Sequence, residues 1–402
     1  MQKLLFVLQS IGYGGSMTSL INLVSYLGKD SDYNIDVLFM DPYGELRCQA
    51  EDICNVVKRD VTMEATSVQW RKLLFLRKYD ALFLRILFAI KARLYRKRTS
   101  EIGYSIAAKK YNNKYDCVIA FQESLATDFV QHIKSKKKIA WIHHDEYSDI
   151  QAMYPDYETF YNVYDKYDKI VCVSSAGCEK FKEQSGISPE KYVCIHNTLP
   201  VEKILDKKKK MLFDCLNDND KKRIYDNICD NRVIKLVSVG RFVEVKRFDR
   251  VIEAASILKN NGNKFKWFLL GDGALFERIE KLINERALSD SVFLTGGLDN
   301  PFPVIGKCDL LVITSDFEAN PMVANEALIV GTPVISTNYD SAKEVVVHGV
   351  NGLVCGKNSE EIAASIQLLL ENSNLLNKMK SNVATFKYPN TEIISQIKEL
   401  LE

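Results

Sequence analysis

The stretch DLLVITSDFEANPMVANEALIVGTPVIS, residues 309–336, reads as a strand, a helix and a second strand. DLLVIT and TPVIS are short, continuous apolar runs, the pattern of strands buried on both faces of a parallel sheet. Between them Asn320 makes a good N-cap, Pro321 suits the first helical position, and Gly331 falls where the helix should end. Two carboxylates flank the helix start. Glu318 stands in the loop before it and Glu326 about 1.5 turns inside, on the order of 10 Å apart by helix rise. Pro321 carries no N–H, so the nearest donors are the main-chain groups of Met322 and Val323, one of which Asn320 can cap. Such a start favours negative charge by roughly 0.3–1 kcal/mol per interaction.

Working outward, the same alternation runs through the chain. Strand candidates in the first half are 3–8, 35–40, 116–121, 138–142, 169–174 and 192–195; in the second they are 233–239, 266–271, 292–295, 309–314 and 332–336. Helical stretches separate them, so two sets of parallel strands predict two doubly wound α/β domains. The divider is a polar, charged segment near 197–232, which gives domains of 1–197 and 198–387. Its lysine run, Lys207 to Lys210, reads as a solvated segment.

Bulk properties narrow the class. A chain of 402 residues is long for one core and suits two domains. A net charge of +2 argues against a nucleic-acid binder. No run of apolar residues is long enough to span a bilayer. The opening MQKLLFVLQSIGYGG has too short an apolar run for a secretory signal, which makes the cytoplasm the expected compartment. The ten cysteines include no C-x-x-C pair; Cys117, Cys172 and Cys194 lie in strand-like runs and read as small buried hydrophobes.

In open α/β sheets ligands bind beyond the carboxyl ends of the strands, so the residues that follow each strand are the candidates. After the first come Gly12, Gly14 and Gly15, a turn that lets backbone approach a ligand, although it is not G-x-G-x-x-G and no P-loop lysine follows. His143 and His144 end the strand at 138–142; a structural histidine is the commoner role for such a residue. Gly240 and Arg241 follow 233–239, with Lys246 behind them. A planar guanidinium and a mobile ammonium together suit a diphosphate. Gly271 and Asp272 form another glycine turn at the same sheet edge. A carboxylate only accepts hydrogen bonds and can hold two neighbouring hydroxyls. A ligand with hydroxyls at both ends and a diphosphate between them would therefore suit Glu318, Glu326 and these cations. A nucleotide-sugar is such a molecule. Each motif alone is as readily a solvated loop.

Together, in this order, they resemble glycosyltransferase family 4, retaining nucleotide-sugar enzymes of the GT-B fold. The E-x7-E element Glu318…Glu326 with its GTPVI continuation and the element Gly240-Arg241…Lys246 carry the resemblance over roughly 233–356. It is weaker in the first half, where Gly14-Gly15 and the WIHHD run take part. The resemblance implies two Rossmann-like domains facing a central cleft, with the terminal helix within 388–402 packing back on the first. It implies a nucleoside-diphosphate-sugar of UDP or GDP type as co-substrate, a glycan or lipid-linked acceptor, and no cofactor or metal. Arg241 and Lys246 would bind the diphosphate with main-chain N–H groups near Asn320, Pro321, Met322 and Val323. Glu326 would hold the ribose, Glu318 would meet the sugar together with His143, or with His144 since the doubled histidine leaves the register open, and Gly15 would approach the phosphates. The base would lie near Gly296 to Leu298. Four positions depart from the family's pattern: Ala319 and Arg247 stand where glycine is frequent, and Ser16-Met17 replaces a small residue and an acid.

The segment 70–98 differs from the rest, with ten basic residues, one acid (Asp80) and many large apolar ones. It reads either as a helix lying on an anionic membrane surface, a peripheral contact at the inner face, or as a core-packed helix pair with a basic outer side. Rival functions are a dinucleotide dehydrogenase, which the first turn does not fit, and a two-lobed binding protein. A non-catalytic partner subunit or a nucleotide-sugar epimerase of similar fold is the remaining alternative.

Overall fold

A strand buried on both faces is apolar in its central residues, and the runs above become strands whose middles are so buried. The computed structural model describes residues 1–10, 15–41, 47–123, 125–143, 157–217 and 220–402. The chain divides into two compact units, Met1–Thr198 with Asn390–Glu402, and Leu199–Pro389.

The first unit is built on β1 (Gln2–Ser10), β2 (Tyr33–Asp41), β3 (Asn55–Val56), β4 (Cys117–Ala120), β5 (Lys137–Ile142), β6 (Lys169–Cys172) and β7 (Tyr192–Cys194). All pairings are parallel, in the order β3-β2-β1-β4-β5-β6-β7. The second holds β8 (Ile234–Val239), β9 (Phe265–Leu270), β10 (Val292–Gly296), β11 (Leu310–Ile313), β12 (Val334–Thr337) and β13 (Gly352–Cys355). These too are parallel, in the order β10-β9-β8-β11-β12-β13. In each sheet the chain first winds one way and then returns to the other side of its first strand. In the second sheet the loops after β8 and β11 therefore diverge at the switch point.

Period-2 alternation places the cores. In β11, Leu311 and Ile313 enter one apolar cluster with Phe268 and Val334, whereas Leu310 and Val312 enter the opposite one with Trp267 and Ile335. Two strands escaped the sequence reading, β3 and β13. Both are edge strands: β3 has only two residues, and β13 begins on Gly352, which leaves an apolar run of three.

The expected polar divider is mostly folded. Residues 201–228 contain the helices Val201–Lys208 and Lys221–Ile228, and Ile204, Ile224 and Ile228 are buried in the second unit's core. The lysine run is correspondingly not all solvated. Lys208 Nζ donates to the Val330 carbonyl at 2.6 Å, closing the C-terminal end of the helix Met322–Ile329. The terminal helix Asn390–Leu401 belongs to the first unit. It buries Ile393, Ile397, Leu400 and Leu401, pairs Lys398 with Asp30, and accepts at its Leu401 carbonyl from Gln2 Nε2 at 2.7 Å.

Residues 70–98 form the helices Trp70–Phe75 and Tyr79–Tyr95. Leu73, Ala81, Phe88 and Ala92 pack inward on Ala65, Val68 and Ile102 as a small core of their own. Among the described residues, no helix is long and apolar enough to cross a membrane. Cys117 and Cys172 are buried as expected, while Cys194 is only partly so.

Candidate functional site

The switch point of the second unit brings together the loops that follow β8 and β11. Thr314 Oγ1 donates to the carbonyls of Lys246 and Arg247, at 2.9 and 3.1 Å, and the Asp316 amide donates to Val245. So fastened, the loops set Lys246 Nζ 2.5 Å from Glu318 Oε1. That oxygen also accepts from Ser315 Oγ at 2.7 Å, and the Glu318 carbonyl accepts from Ser341 Oγ at 2.6 Å. Arg241, just beyond β8, is exposed and has no carboxylate partner among the described residues. One cation is thus tied to the sugar-side candidate Glu318, and the other stays available for an anion.

Arg247 explains why glycine is favoured after the lysine. Its φ of 52° and ψ of 47° lie in the left-handed region, which side chains with a Cβ enter at a cost. The guanidinium is held there by both oxygens of Asp249 and by Asp316. Arg250 donates to Asp316 at 2.6 Å and to the Thr314 carbonyl at 2.9 Å. Burial works against ionisation of Asp316, but these two arginines prevail and hold its pKa below the usual carboxylate value.

Glycines let three strand ends meet without side chains between them. Gly271 has φ 141°, and a Cβ there would stand 1.9 Å from the Gly240 carbonyl oxygen. The Gly271 amide donates to Gly296 and the Gly240 amide to Leu270, both at 3.0 Å. Asp272 is exposed, but its carboxylate accepts from the Gly273 amide at 2.7 Å and so serves its own turn. Gly296 turns at φ 72°, and Leu298 packs half-buried against the core. Asn217, which sequence reasoning did not single out, fixes this turn by donating to the carbonyls of Thr295 and Gly297 at 2.9 and 3.0 Å.

The helix Met322–Ile329 differs from expectation at its start. Pro321, not Asn320, occupies the N-cap position, with ψ 90°, and no side chain among the described residues caps the helix. A proline in that position displaces the asparagine one residue too far back to reach the first-turn donors. The N–H groups of Met322 and Val323 have no partner among the described residues, a helix start left open to an anion. Glu326, one turn on, keeps some exposure but accepts no hydrogen bond from the described residues. Burial raises its pKa to about 7, and only the charge of Lys207 works the other way. Lys207 is thus a neighbour of the site that its place in a lysine run concealed.

In the first unit, Gly15 opens the helix Gly15–Leu27 and is exposed. His143 follows β5 directly and is buried. Its amide donates to Glu123 Oε2 at 2.7 Å, and its ring meets Phe121 edge-on with centroids 4.9 Å apart. Glu123, itself buried just beyond β4, was not anticipated. A single acid after an apolar run gives no warning. Gly14 and His144 lie outside the described residues.

Comparison with known proteins follows this geometry. Residues 225–386 match the family model described as Glycosyl transferases group 1. A poly(glycerol-phosphate) alpha-glucosyltransferase of Bacillus subtilis (strain 168) is 32% identical over 142 residues, 35% of this chain and 21% of its own length. The N-acetylgalactosamine-N,N'-diacetylbacillosaminyl-diphospho-undecaprenol 4-alpha-N-acetylgalactosaminyltransferase of Campylobacter jejuni is 27% identical over 225 residues, 56% of each. The chain thus spans about a fifth of the first relative and little more than half of the second. The crystal structure of Anabaena Alr3699/HepE in complex with UDP-glucose covers 100% of this chain and 99% of its own with a TM-score of 0.74, at 19% identity. The fold is GT-B, two Rossmann-like units each on a parallel sheet.

Proposed function

We propose that this protein is a retaining glycosyltransferase of the family 4 type, moving a sugar from a nucleoside-diphosphate-sugar to a hydroxyl of a glycan or lipid-linked acceptor at the inner membrane face. The observation that carries the reading is the second unit's switch point. Two loops and the helix that follows bring together an arginine and a glutamate with no partner among the described residues, a lysine joined to a carboxylate, and a helix start that no described side chain caps. The relatives fit it. The Campylobacter protein's name includes a lipid diphosphate, and the Anabaena protein was crystallised with UDP-glucose.

In this reading the bond between the sugar's anomeric carbon and the diphosphate oxygen breaks, and one to the acceptor oxygen forms. The acceptor's proton passes to the departing phosphate, and the nucleoside diphosphate leaves. Arg241, Lys246 and the amides of Met322 and Val323 stabilise the charge that builds on the diphosphate, a preorganised set of donors. Glu318 orients sugar hydroxyls, and its bond to Lys246 couples sugar placement to phosphate placement. Glu326 holds the ribose, with the base beside Gly296 to Leu298. Two cations on the leaving group make a metal unnecessary, and no carboxylate is assigned as nucleophile.

The test is thermal stabilisation by a panel of UDP-, GDP-, ADP- and TDP-sugars, run beside Arg241→Ala. One donor should raise the midpoint of the native chain and leave the variant unmoved. Stabilisation without product from any acceptor would turn the reading toward a partner subunit, and donor conversion without acceptor toward an epimerase.

A further inference from the structure

The helix Tyr79–Tyr95 shows water a face that a folded protein ordinarily hides. At about 100° per residue, Tyr79, Phe83, Ile86, Leu87, Ile90 and Leu94 share one arc of roughly 100°. All six are exposed, Phe83 at 61% and Leu94 at 77%, and the preceding helix adds Phe75 at 85%. The opposite side, Ala81, Phe88 and Ala92, is packed into the protein, and Arg85 pins it by donating to the Val68 carbonyl at 2.6 Å. The exposed arc is therefore not a core face left over.

The cations of this segment sort into two groups. Lys72, Lys78, Lys97 and Arg98 face carboxylates of Asp41, Glu64, Glu101 and Asp128. Arg71, Arg77, Lys91, Arg93 and Arg96 are exposed and have no carboxylate partner among the described residues. On the helix wheel Lys91 and Arg93 border the apolar arc on its two sides. An apolar strip edged by unpaired cations matches the boundary of an anionic bilayer, acyl chains below and phosphates beside. A second copy of this chain is a poor occupant, because a two-fold contact would set the same cations against each other.

We propose that the helix Tyr79–Tyr95 seats the protein on an anionic membrane surface, with the apolar arc in the bilayer boundary and the bordering cations on lipid phosphates. This seat is independent of donor chemistry, so its failure and that of the transfer reading are told apart by separate measurements. The experiment is co-sedimentation of the full chain with vesicles of phosphatidylcholine alone or mixed with phosphatidylglycerol, at low and high salt. Partition should rise at least about tenfold with phosphatidylglycerol and fall with salt. It should fall at least about tenfold in Phe83→Ser/Ile90→Ser/Leu94→Ser and also in Lys91→Gln/Arg93→Gln/Arg96→Gln. Should the first variant not fold, the second decides. Absent or lipid-indifferent partition, or partition unchanged in the folded variants, overturns the proposal. So does a dimer in sedimentation equilibrium that the serine variant makes monomeric, which would assign the arc to self-association.

Discussion

A carboxyl group crowded by protein and given no hydrogen-bond donor among the described residues, as Glu326 is, keeps its proton to about pH 7. The folded protein thus holds this proton more tightly than the unfolded chain, where a glutamate titrates near 4.5. The contribution to stability is complete below the lower value and is lost as pH rises through the higher, on the order of 3 kcal/mol in all. Glu326→Gln should therefore unfold at higher denaturant than the native chain at pH 8 and vary less between pH 5 and 8. The opposite order at pH 8 would mean that another group relieves the carboxylate. Donor binding should move the other way, because ribose hydroxyls reward the ionised acceptor. Glu326→Ala should weaken donor binding by about 1.5–3 kcal/mol in calorimetry, and unchanged affinity would take Glu326 out of the site. A group that lowers stability where the protein works is what a binding role predicts.

At the scale of elements, legibility followed the length of the apolar run. β1, β8 and β11 are buried on both faces and stood out, whereas two-residue β3 and Gly-initiated β13 carry too few side chains to make a pattern. The helix after β11 was placed correctly, but its cap was not, since the N-cap depends on where the backbone turns and Pro321 rather than Asn320 takes that turn. Lys207 and Lys208 were hidden by composition: four successive lysines look solvated, and only Ile204 marks the buried side. The glycine turns were legible as turns, yet their reason is tertiary. Gly271 must be bare because the Gly240 carbonyl occupies the place of its Cβ. Gly271→Ala should then part the ends of β8 and β9 and cost more than about 2 kcal/mol by denaturant unfolding, with loss of donor binding. Gly297→Ala, with open space around it, should stay within about 0.5 kcal/mol. Equal effects at the two positions would show that the close approach is relieved by a small backbone shift.

At the scale of the molecule, the first unit is discontinuous: the chain leaves it at Thr198 and re-enters at Asn390. The second unit is an insertion whose core, Leu199 to Val383 in sequence, is complete without either flank. Stability of the first unit must then depend on the last helix, which sinks Ile393, Ile397, Leu400 and Leu401 into it. Four such side chains would contribute about 1.5–3 kcal/mol each at most, and ordering the helix offsets much of that. A net loss of about 3–5 kcal/mol is expected on truncation after Pro389. The tryptophans allow the loss to be assigned, because Trp70 and Trp141 lie in the first unit and Trp267 in the second. In a Trp267→Phe background, fluorescence reports the first unit alone, and its unfolding midpoint should fall on truncation. With Trp70 and Trp141 replaced instead, Trp267 should report an unchanged second unit. Were both midpoints to fall together, the two units would unfold as one cooperative body, and the terminal helix would stabilise the whole chain instead of the sheet it packs against.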